Sequence, residues 1–273
     1  SLTDGGADRH SLLINLGGGL ISDLGGFVAS AFKRGIDFVN IPTTLLAMVD
    51  ASIGGKTGVN LGAYKNQIGL FAVPQEIIID LRYLDSLPQN QILSAFAEML
   101  KHGLIEDKKY WESLTNSEVL NSSSLASQIE KSILIKKNIV EQDPTEKGLR
   151  KMLNFGHSIG HAIESYYLKS LNPYSHGEAV ALGMLAEAYL SVKILGLAQD
   201  QVDEINKSIR RYYDLTRIQD EHVDGIAAFV MHDKKVEGTK LNFSLIEQIG
   251  KCKIDIQLSQ EEIINAIKFL IYD

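Results

Sequence analysis

Cysteine is almost absent from this chain. Cys252 is the single one among 273 residues, so no intrachain disulfide can form and cysteine-built zinc frameworks are excluded. Such a composition fits a reducing cytoplasm. Proline is scarce too, with five residues, and 22% of the chain is charged; neither figure belongs to a disordered polar segment. An excess of positive charge is missing. The formal net charge is -7, which disfavours a nucleic-acid partner and makes any phosphate site a local basic pocket in an acidic protein. Long apolar runs are lacking as well. The richest, Ala179 to Leu190, is interrupted by Glu187, so no membrane span is expected. The opening Ser1 to Asp8 has no basic stretch, no apolar core and no Met; we expect no secretory signal there and a chain shortened at its start. What is present is a 45% share of hydrophobic residues, enough to bury a sizeable core in one large domain or two ordinary ones.

The first third reads as α/β. Leu12 to Leu16 is a short apolar run closed by Gly17, Gly18 and Gly19, which predicts a strand running into a glycine turn. Leu20 to Phe32 then reads as a helix, Phe38 to Ile41 as a buried strand stopped by Pro42, and Thr43 to Val49 as a helix. Gly54, Gly55, Gly58 and Gly62 make Ala51 to Gly62 a loop or hairpin, and Ile77 to Asp80 a third strand follows. Beyond Leu87 helical periodicity takes over: Gln89 to His102, Lys108 to Leu114, Ser123 to Glu141, Leu149 to Tyr167, Gly177 to Leu195, Asp200 to Tyr213 and His222 to His232. A hairpin of Lys240 to Ile246 with Lys251 to Ile256 is expected across Gly250, and a last helix from Gln260 to Tyr272. We therefore expect an α/β domain over residues 1–87 and a helical domain over residues 88–273.

The densest chemistry lies in Arg150-Lys-Met-Leu-Asn154-Phe-Gly-His157-Ser-Ile-Gly-His161 and in His176-Gly177-Glu178. On one helix His157 and His161 share a face, with Arg150 and Asn154 one to two turns earlier on the same stripe. Such a stripe is a poor core and a good lining for a pocket that holds a metal and an anion. With Glu98 the histidines offer a carboxylate and two imidazoles, and three protein ligands leave a zinc position open for substrate. His157 and His161 can also divide the labour, one on the metal and one moving protons; a lone helical histidine is usually structural. His176 falls at the expected N-cap of the next helix.

Gly17-Gly18-Gly19 with Asp23 opens a helix after a strand, which suits a pyrophosphate. The usual dinucleotide fingerprint is absent, and a plain tight turn with Asp23 compensating the helix dipole accounts for the pattern equally well. Asp50, Lys56, Lys65 and Asn66 flank a glycine-rich stretch where lysines suit phosphate contact or are simply solvated. Read alone, Glu98 and Lys101 form a surface i,i+3 ion pair. The doublets Lys136-Lys137 and Lys234-Lys235 are solvated faces by default, although Asp233-Lys234-Lys235 could close over an anion.

In this order, Gly17-Gly-Gly-Leu-Ile-Ser-Asp23, Pro42-Thr43-Thr44, Val49-Asp50-Ala-Ser-Ile-Gly-Gly-Lys56-Thr-Gly-Val-Asn60, Lys65-Asn66, Ala97-Glu98-Met-Leu-Lys101, Gly148-Leu-Arg150 through His161, His176-Gly-Glu178 and Asp233-Lys-Lys235 closely resemble the 3-dehydroquinate synthase family of sugar-phosphate cyclases. The resemblance covers essentially the whole chain. It implies an NAD- and zinc-dependent lyase, with cobalt as the alternative ion. The fold would be a Rossmann-like α/β domain followed by a helical metal-binding domain, in a cytoplasmic homodimer. By resemblance Glu98, His157 and His176 bind zinc. Gly18, Gly19 and Asp23 meet NAD, with Thr43, Thr44, Lys65 and Ser86 nearby. Asp50, Lys101 and Asn154 contact substrate; Lys56, Asn66 and the partner subunit's Arg34 hold its phosphate; Arg150 and Lys136 grip its carboxylate. Glu146 and His161 match proton-accepting positions, and Lys234 or Lys235 reaches substrate.

The implied reaction belongs to the shikimate pathway. NAD transiently oxidises 3-deoxy-arabino-heptulosonate 7-phosphate, phosphate leaves by β-elimination, the cofactor returns its hydride, and an intramolecular aldol closes 3-dehydroquinate. The family carries about eighty to ninety further residues before the first strand, half a domain in size, so weak NAD binding, low turnover and an exposed sheet edge are expected of this chain alone. Ser22, where many relatives have Gly, and a longer spacer between His161 and His176 are smaller departures. Competing readings are a cyclase acting on a carboxylate-free sugar phosphate, against which Arg150 and Lys136 argue, a metal-dependent alcohol dehydrogenase of related fold, and a non-catalytic fragment.

Overall fold

The apolar run that begins at Leu12 forms strand β1 (Leu12–Gly17). Helix α1 (Gly19–Ala31) crosses over, and β2 (Asp37–Pro42) returns parallel to β1, from Leu12 opposite Asp37 to Gly17 opposite Pro42. A parallel pair needs such a crossover. This computed structural model describes residues 2–61, 64–115, 119–121, 124–215, 217–233 and 241–272. They pack as two units, one of residues 1–95 with 124–145 and one of residues 96–123 with 146–273.

In the first unit, Asn15 Nδ2 donates to Asn40 Oδ1 at 2.9 Å, so two buried amides satisfy each other between β1 and β2. Strand alternation sends Leu13 toward the cluster of Ala29, Ile36 and Phe38. It turns Leu12, Ile14 and Leu16 outward, each more than half exposed. The glycine-rich stretch forms the antiparallel hairpin of β3 (Lys56–Leu61) and β4 (Tyr64–Phe71). The segment after Thr43 tightens into a π-helical turn, Ala47–Ala51, where Ser52 Oγ donates to the Ala47 carbonyl at 2.7 Å. Such turns concentrate at functional sites, and this one carries Asp50. The expected third strand stops short as β5 (Glu76–Ile77), paired with β2. Asp80 accepts from the Arg82 N–H at 3.0 Å and turns the chain into a 3-10 helix, Leu81–Ser86.

Helix α2 (Gln89–Glu106) leads from the first unit into the second, and α3 (Lys108–Thr115) follows. Helix α4 (Leu125–Gln142) packs in the first unit, against the π-helical turn. The change of composition near residue 87 thus marks where strands give way to helices, whereas packing groups α4 with the strands.

The second unit is built around two helices, α5 (His157–Tyr167) and α6 (His176–Leu195). Helices α7 (Gln199–Arg210), α8 (Val223–Asp233) and α9 (Gln260–Tyr272) and the hairpin of β6 (Leu241–Gln248) and β7 (Lys251–Leu258) complete it. Helix α6 is apolar on almost every side and is buried accordingly, with α5, α7, α9 and β6 packed on it. One helix was expected from Leu149 to Tyr167. Instead a 3-10 turn, Leu149–Asn154, ends at extended Phe155, and Gly156 adopts φ 78° before α5 starts at His157. The break has a packing cause. A Cβ added to Gly183 of α6 would lie 1.8 Å from the Gly156 carbonyl oxygen, so backbone meets backbone there. Arg150 and Asn154 therefore do not continue the stripe of His157 and His161.

His176 is the first residue of α6 and not its cap. Ser175 is the cap: its hydroxyl accepts from the Glu178 N–H at 3.3 Å, while the Glu178 carboxylate accepts from the Ser175 N–H at 2.7 Å. Cys252 lies in β7. Burial pushes its thiol up, and the Glu187 and Glu106 carboxylates push the same way, so little thiolate forms near neutral pH. Among the described residues, no helix is long and apolar enough to cross a membrane.

Candidate active site

Glu98, His157 and His176 come from α2 and from the first residues of α5 and α6. Glu98 is fully buried. Its Oε1 lies 3.2 Å from His157 Nε2 and 3.3 Å from His176 Nε2, and one ligand atom from each of the three residues falls within 4.8 Å of the others. One carboxylate oxygen and two imidazole nitrogens facing a common point fit a divalent cation of zinc type with room for a further ligand. Each of the three side chains is held from behind. Glu98 Oε2 accepts from Lys101 Nζ. His157 Nδ1 is 3.2 Å from the Phe155 carbonyl, which can only accept, so that nitrogen carries the proton and Nε2 presents its lone pair. His176 Nδ1 faces Glu164 Oε2 at 3.8 Å.

The charges explain the protonation. Burial raises the Glu98 carboxyl, but Lys101 and His157 outweigh it and hold it well below the ordinary value. His157 is lowered by burial and by the Lys101 cation, against the pull of Glu98. Burial lowers His176 too, yet the Glu164 and Glu98 carboxylates beside it carry it to about 9. The two imidazoles face the same oxygen and diverge because one neighbours a cation and the other a second carboxylate. Glu98 and Lys101 were expected as a surface pair when read alone; both are buried, which corrects that default. His161 is exposed, with its ring 5.1 Å from that of His157 and 6.0 Å from that of His176. In the same unit Asn154 Nδ2 donates to Glu146 Oε1 at 2.8 Å, and Arg150 is buried.

A second cluster sits in the first unit. Lys136 Nζ, on α4, donates to Asp50 Oδ1 and to the Asp50 carbonyl, at 2.5 Å each. Lys136 is buried, so the solvated default fails for it; Lys137 alone of that doublet faces out, 3.7 Å from Glu141. Asp23 is pushed up to about 6, first by burial and then by Asp50, with Lys136 opposing. Gly18 caps α1, which has no side-chain cap and no acid in its first turn, so its leading N–H groups suit an anion. A Cβ on Gly18 would meet Thr44 at 3.1 Å and one on Gly19 would meet Ala51 at 2.9 Å. The Thr43 N–H donates to the Gly17 carbonyl at 2.9 Å, and Thr44 Oγ1 accepts from the Ala47 N–H at 3.2 Å.

Arg34, Lys56 and Ser86 are exposed in the first unit, and Arg34 has φ 72°. Lys65 and Asn66 lie in β4, with their side chains outside the described residues, as are Lys234 and Lys235 altogether. Sequence reasoning gave no role to Glu164 or to the Phe155 carbonyl. Glu164 was findable, one turn beyond His161 on the same helix; a main-chain acceptor leaves no residue-type signal.

The chain matches the family description 3-dehydroquinate synthase N-terminal over residues 1–94 and 3-dehydroquinate synthase C-terminal over residues 95–236. It is 43% identical over 271 residues to the 3-dehydroquinate synthase of Parabacteroides distasonis, covering 98% of this chain and 77% of that one. It is 42% identical to that of Campylobacter concisus, covering 96% and 75%. Among solved structures it is similar to 2-deoxy-scyllo-inosose synthase complexed with carbaglucose-6-phosphate, NAD+ and Co2+, with a TM-score of 0.86, 26% identity and coverage of 98% and 76%. It is similar also to 2-epi-5-epi-valiolone synthase from Streptomyces hygroscopicus with NAD+ and Zn2+ bound, with a TM-score of 0.87, 26% identity and the same coverage. A probable glycerol dehydrogenase from Sinorhizobium meliloti, at 14% identity and a TM-score of 0.60, shares the fold.

Proposed function

Since the chain belongs to the 3-dehydroquinate synthase family and is an enzyme of that activity, we propose that it turns over with NAD and a divalent cation, zinc or cobalt, held by its own residues. The reaction takes 3-deoxy-arabino-heptulosonate 7-phosphate to 3-dehydroquinate and phosphate. The observation that carries the cofactor proposal is the approach of two imidazole Nε2 atoms to one carboxylate oxygen, Glu98 Oε1, at 3.2 and 3.3 Å.

Glu98, His157 and His176 hold the cation, which supplies Lewis acidity toward the substrate hydroxyls. Gly18, Gly19 and Asp23, with Thr43, Thr44, Lys65 and Ser86 around them, hold NAD, which supplies the reversible oxidation of one substrate carbon. The chain's side chains do the rest. Lys101 fixes Glu98 through Oε2, and the three donors of its ammonium let it serve a substrate hydroxyl as well. Asp50 takes another hydroxyl. Glu146 orients Asn154 toward substrate through their hydrogen bond and accepts a proton; His161, exposed beside His157, is the second acceptor. Arg150 keeps its charge at every working pH and is held in place by burial, so it pairs with the substrate carboxylate, together with Lys136. Lys56, Asn66 and the partner subunit's Arg34 neutralise the departing phosphate, and Lys234 or Lys235 adds a further cation to substrate. A cytoplasmic homodimer is part of the same proposal.

The test is phosphate release from the heptulosonate phosphate by the purified protein, with and without NAD and zinc. Release that needs both supports the proposal. Release indifferent to zinc, or none from protein loaded with both, overturns it. Reduced cofactor that accumulates in step with product points to a dehydrogenase instead.

A further inference from the structure

Glu187 is the charge that interrupts the apolar run of α6, and it is fully buried. A buried carboxylate is costly unless strongly hydrogen-bonded. Here Oε2 accepts from the Gly156 N–H at 2.6 Å and Oε1 from the Ile159 N–H at 3.3 Å. These donors lie at the start of α5. A helix leaves its first N–H groups without partners of its own, and a Ser, Thr, Asp or Asn at the N-cap normally serves them. Helix α5 lacks that arrangement: its cap is Gly156, with no side-chain cap and no acid in the first turn. A carboxylate from the neighbouring helix takes the role, at the end where the helix dipole favours negative charge.

The position of that cap matters because α5 begins at His157 and α6 at His176. Any tilt of the first turn of α5 moves the His157 ring directly. Glu187 stands three turns along the helix whose first residue is His176, so it ties one imidazole-bearing helix to the other. The glycine contacts hold the same crossing, since a Cβ on Gly160 would lie 2.8 Å from the Ala179 carbonyl oxygen.

We propose that Glu187 is a positioning residue of the metal centre. By capping α5 from α6, it sets the angle at which His157 presents Nε2 to the point shared with Glu98 and His176. This assignment rests on the metal-binding role proposed above, and Glu187 itself touches neither cation nor substrate. The substitution Glu187→Gln keeps the shape but offers one acceptor where two N–H groups need one each.

Zinc affinity of the full chain, read by competition with a chromogenic chelator, is expected to fall about 10–100-fold in Glu187→Gln, the usual cost of losing support behind a metal ligand. The visible absorption of the cobalt-loaded protein should shift as the ligand geometry loosens. Ile205→Ala, a buried substitution in α7, should lower Tm with affinity and spectrum intact. Glu187→Gln with a lowered Tm but parental zinc affinity and cobalt spectrum would make the residue merely structural and overturn the inference. If Glu187→Gln fails to fold, Glu187→Asp, one methylene too short to reach both donors, carries the test by the same two readings. A parent protein that binds no zinc, or binds it equally well as Glu98→Ala, sinks the metal-binding role first and this inference with it.

Discussion

The histidine cluster and the glycine turn solve different problems. Around the histidines each side chain of the trio has a backing group: Lys101 behind Glu98, the Phe155 carbonyl behind His157, Glu164 behind His176. Around Gly18 and Gly19 no side chain caps the helix, and the neighbouring strand shows Leu12, Ile14 and Leu16 on an open face. A cation needs ligand atoms at fixed points, so each must be locked twice. An anion needs only main-chain N–H groups and nearby charge, which a turn supplies without locking any side chain. Damage in the first region should therefore be severe and local, and damage in the second graded.

The sharpest way to break that contrast is Glu98→Ala. It should abolish stoichiometric zinc and lower phosphate release by about 10³-fold or more, several kcal/mol of lost Lewis-acid assistance; metal analysis beside the activity assay reads both. Next is Lys101→Met, which leaves a buried carboxylate without its cation. Urea unfolding of the metal-free protein should show a loss of about 3–5 kcal/mol, smaller when zinc is added because the metal restores the missing charge. An unchanged midpoint would mean that Glu98 is not held as described. Arg150→Ala should raise KM for the heptulosonate phosphate by about 10²-fold through the loss of charged hydrogen bonds. Equal KM values would favour a carboxylate-free substrate.

The smallest effect belongs to Asp23, on the glycine-turn side. Its folded value of about 6 lies above the ordinary 3.8, so the fold prefers the protonated form. Its contribution to stability is complete below pH 3.8 and is lost as pH rises through 6. Asp23→Asn removes that loss. The Tm advantage of the variant should grow between about pH 4 and 6 and then level off, at a size on the order of 2 °C, in thermal unfolding followed across pH. A pH-independent difference would contradict the burial of the carboxyl.

Much of this was readable from residue order. Short apolar runs, one closed by glycines and one by Pro42, marked β1 and β2, and helical periodicity marked α2, α5, α6 and α9, because those signals are local. The spacing of His157 and His161 likewise announced a shared face. The break at Phe155 and Gly156 was not readable. Met152, Leu153, Ile159 and Ile163 keep apolar spacing across it, and its cause is Gly183, far along the chain. The burial of Lys101 and Lys136 escaped for a similar reason: an i,i+3 pair or a basic doublet has one spelling whether water or protein surrounds it. His176 was misplaced by one position because both Ser175 and His176 precede an apolar run, and only the reciprocal bonds of Ser175 and Glu178 decide between them.

The reluctance of Cys252 to ionise has a practical side. Maleimide and iodoacetamide dyes attack thiolates, so near neutral pH they should pass over the native sulfur. Two cysteines engineered at exposed positions, Lys193 among them, would then carry a pair of spin labels or fluorophores by themselves. Distances across the molecule could be measured during turnover with the native sulfur left in place.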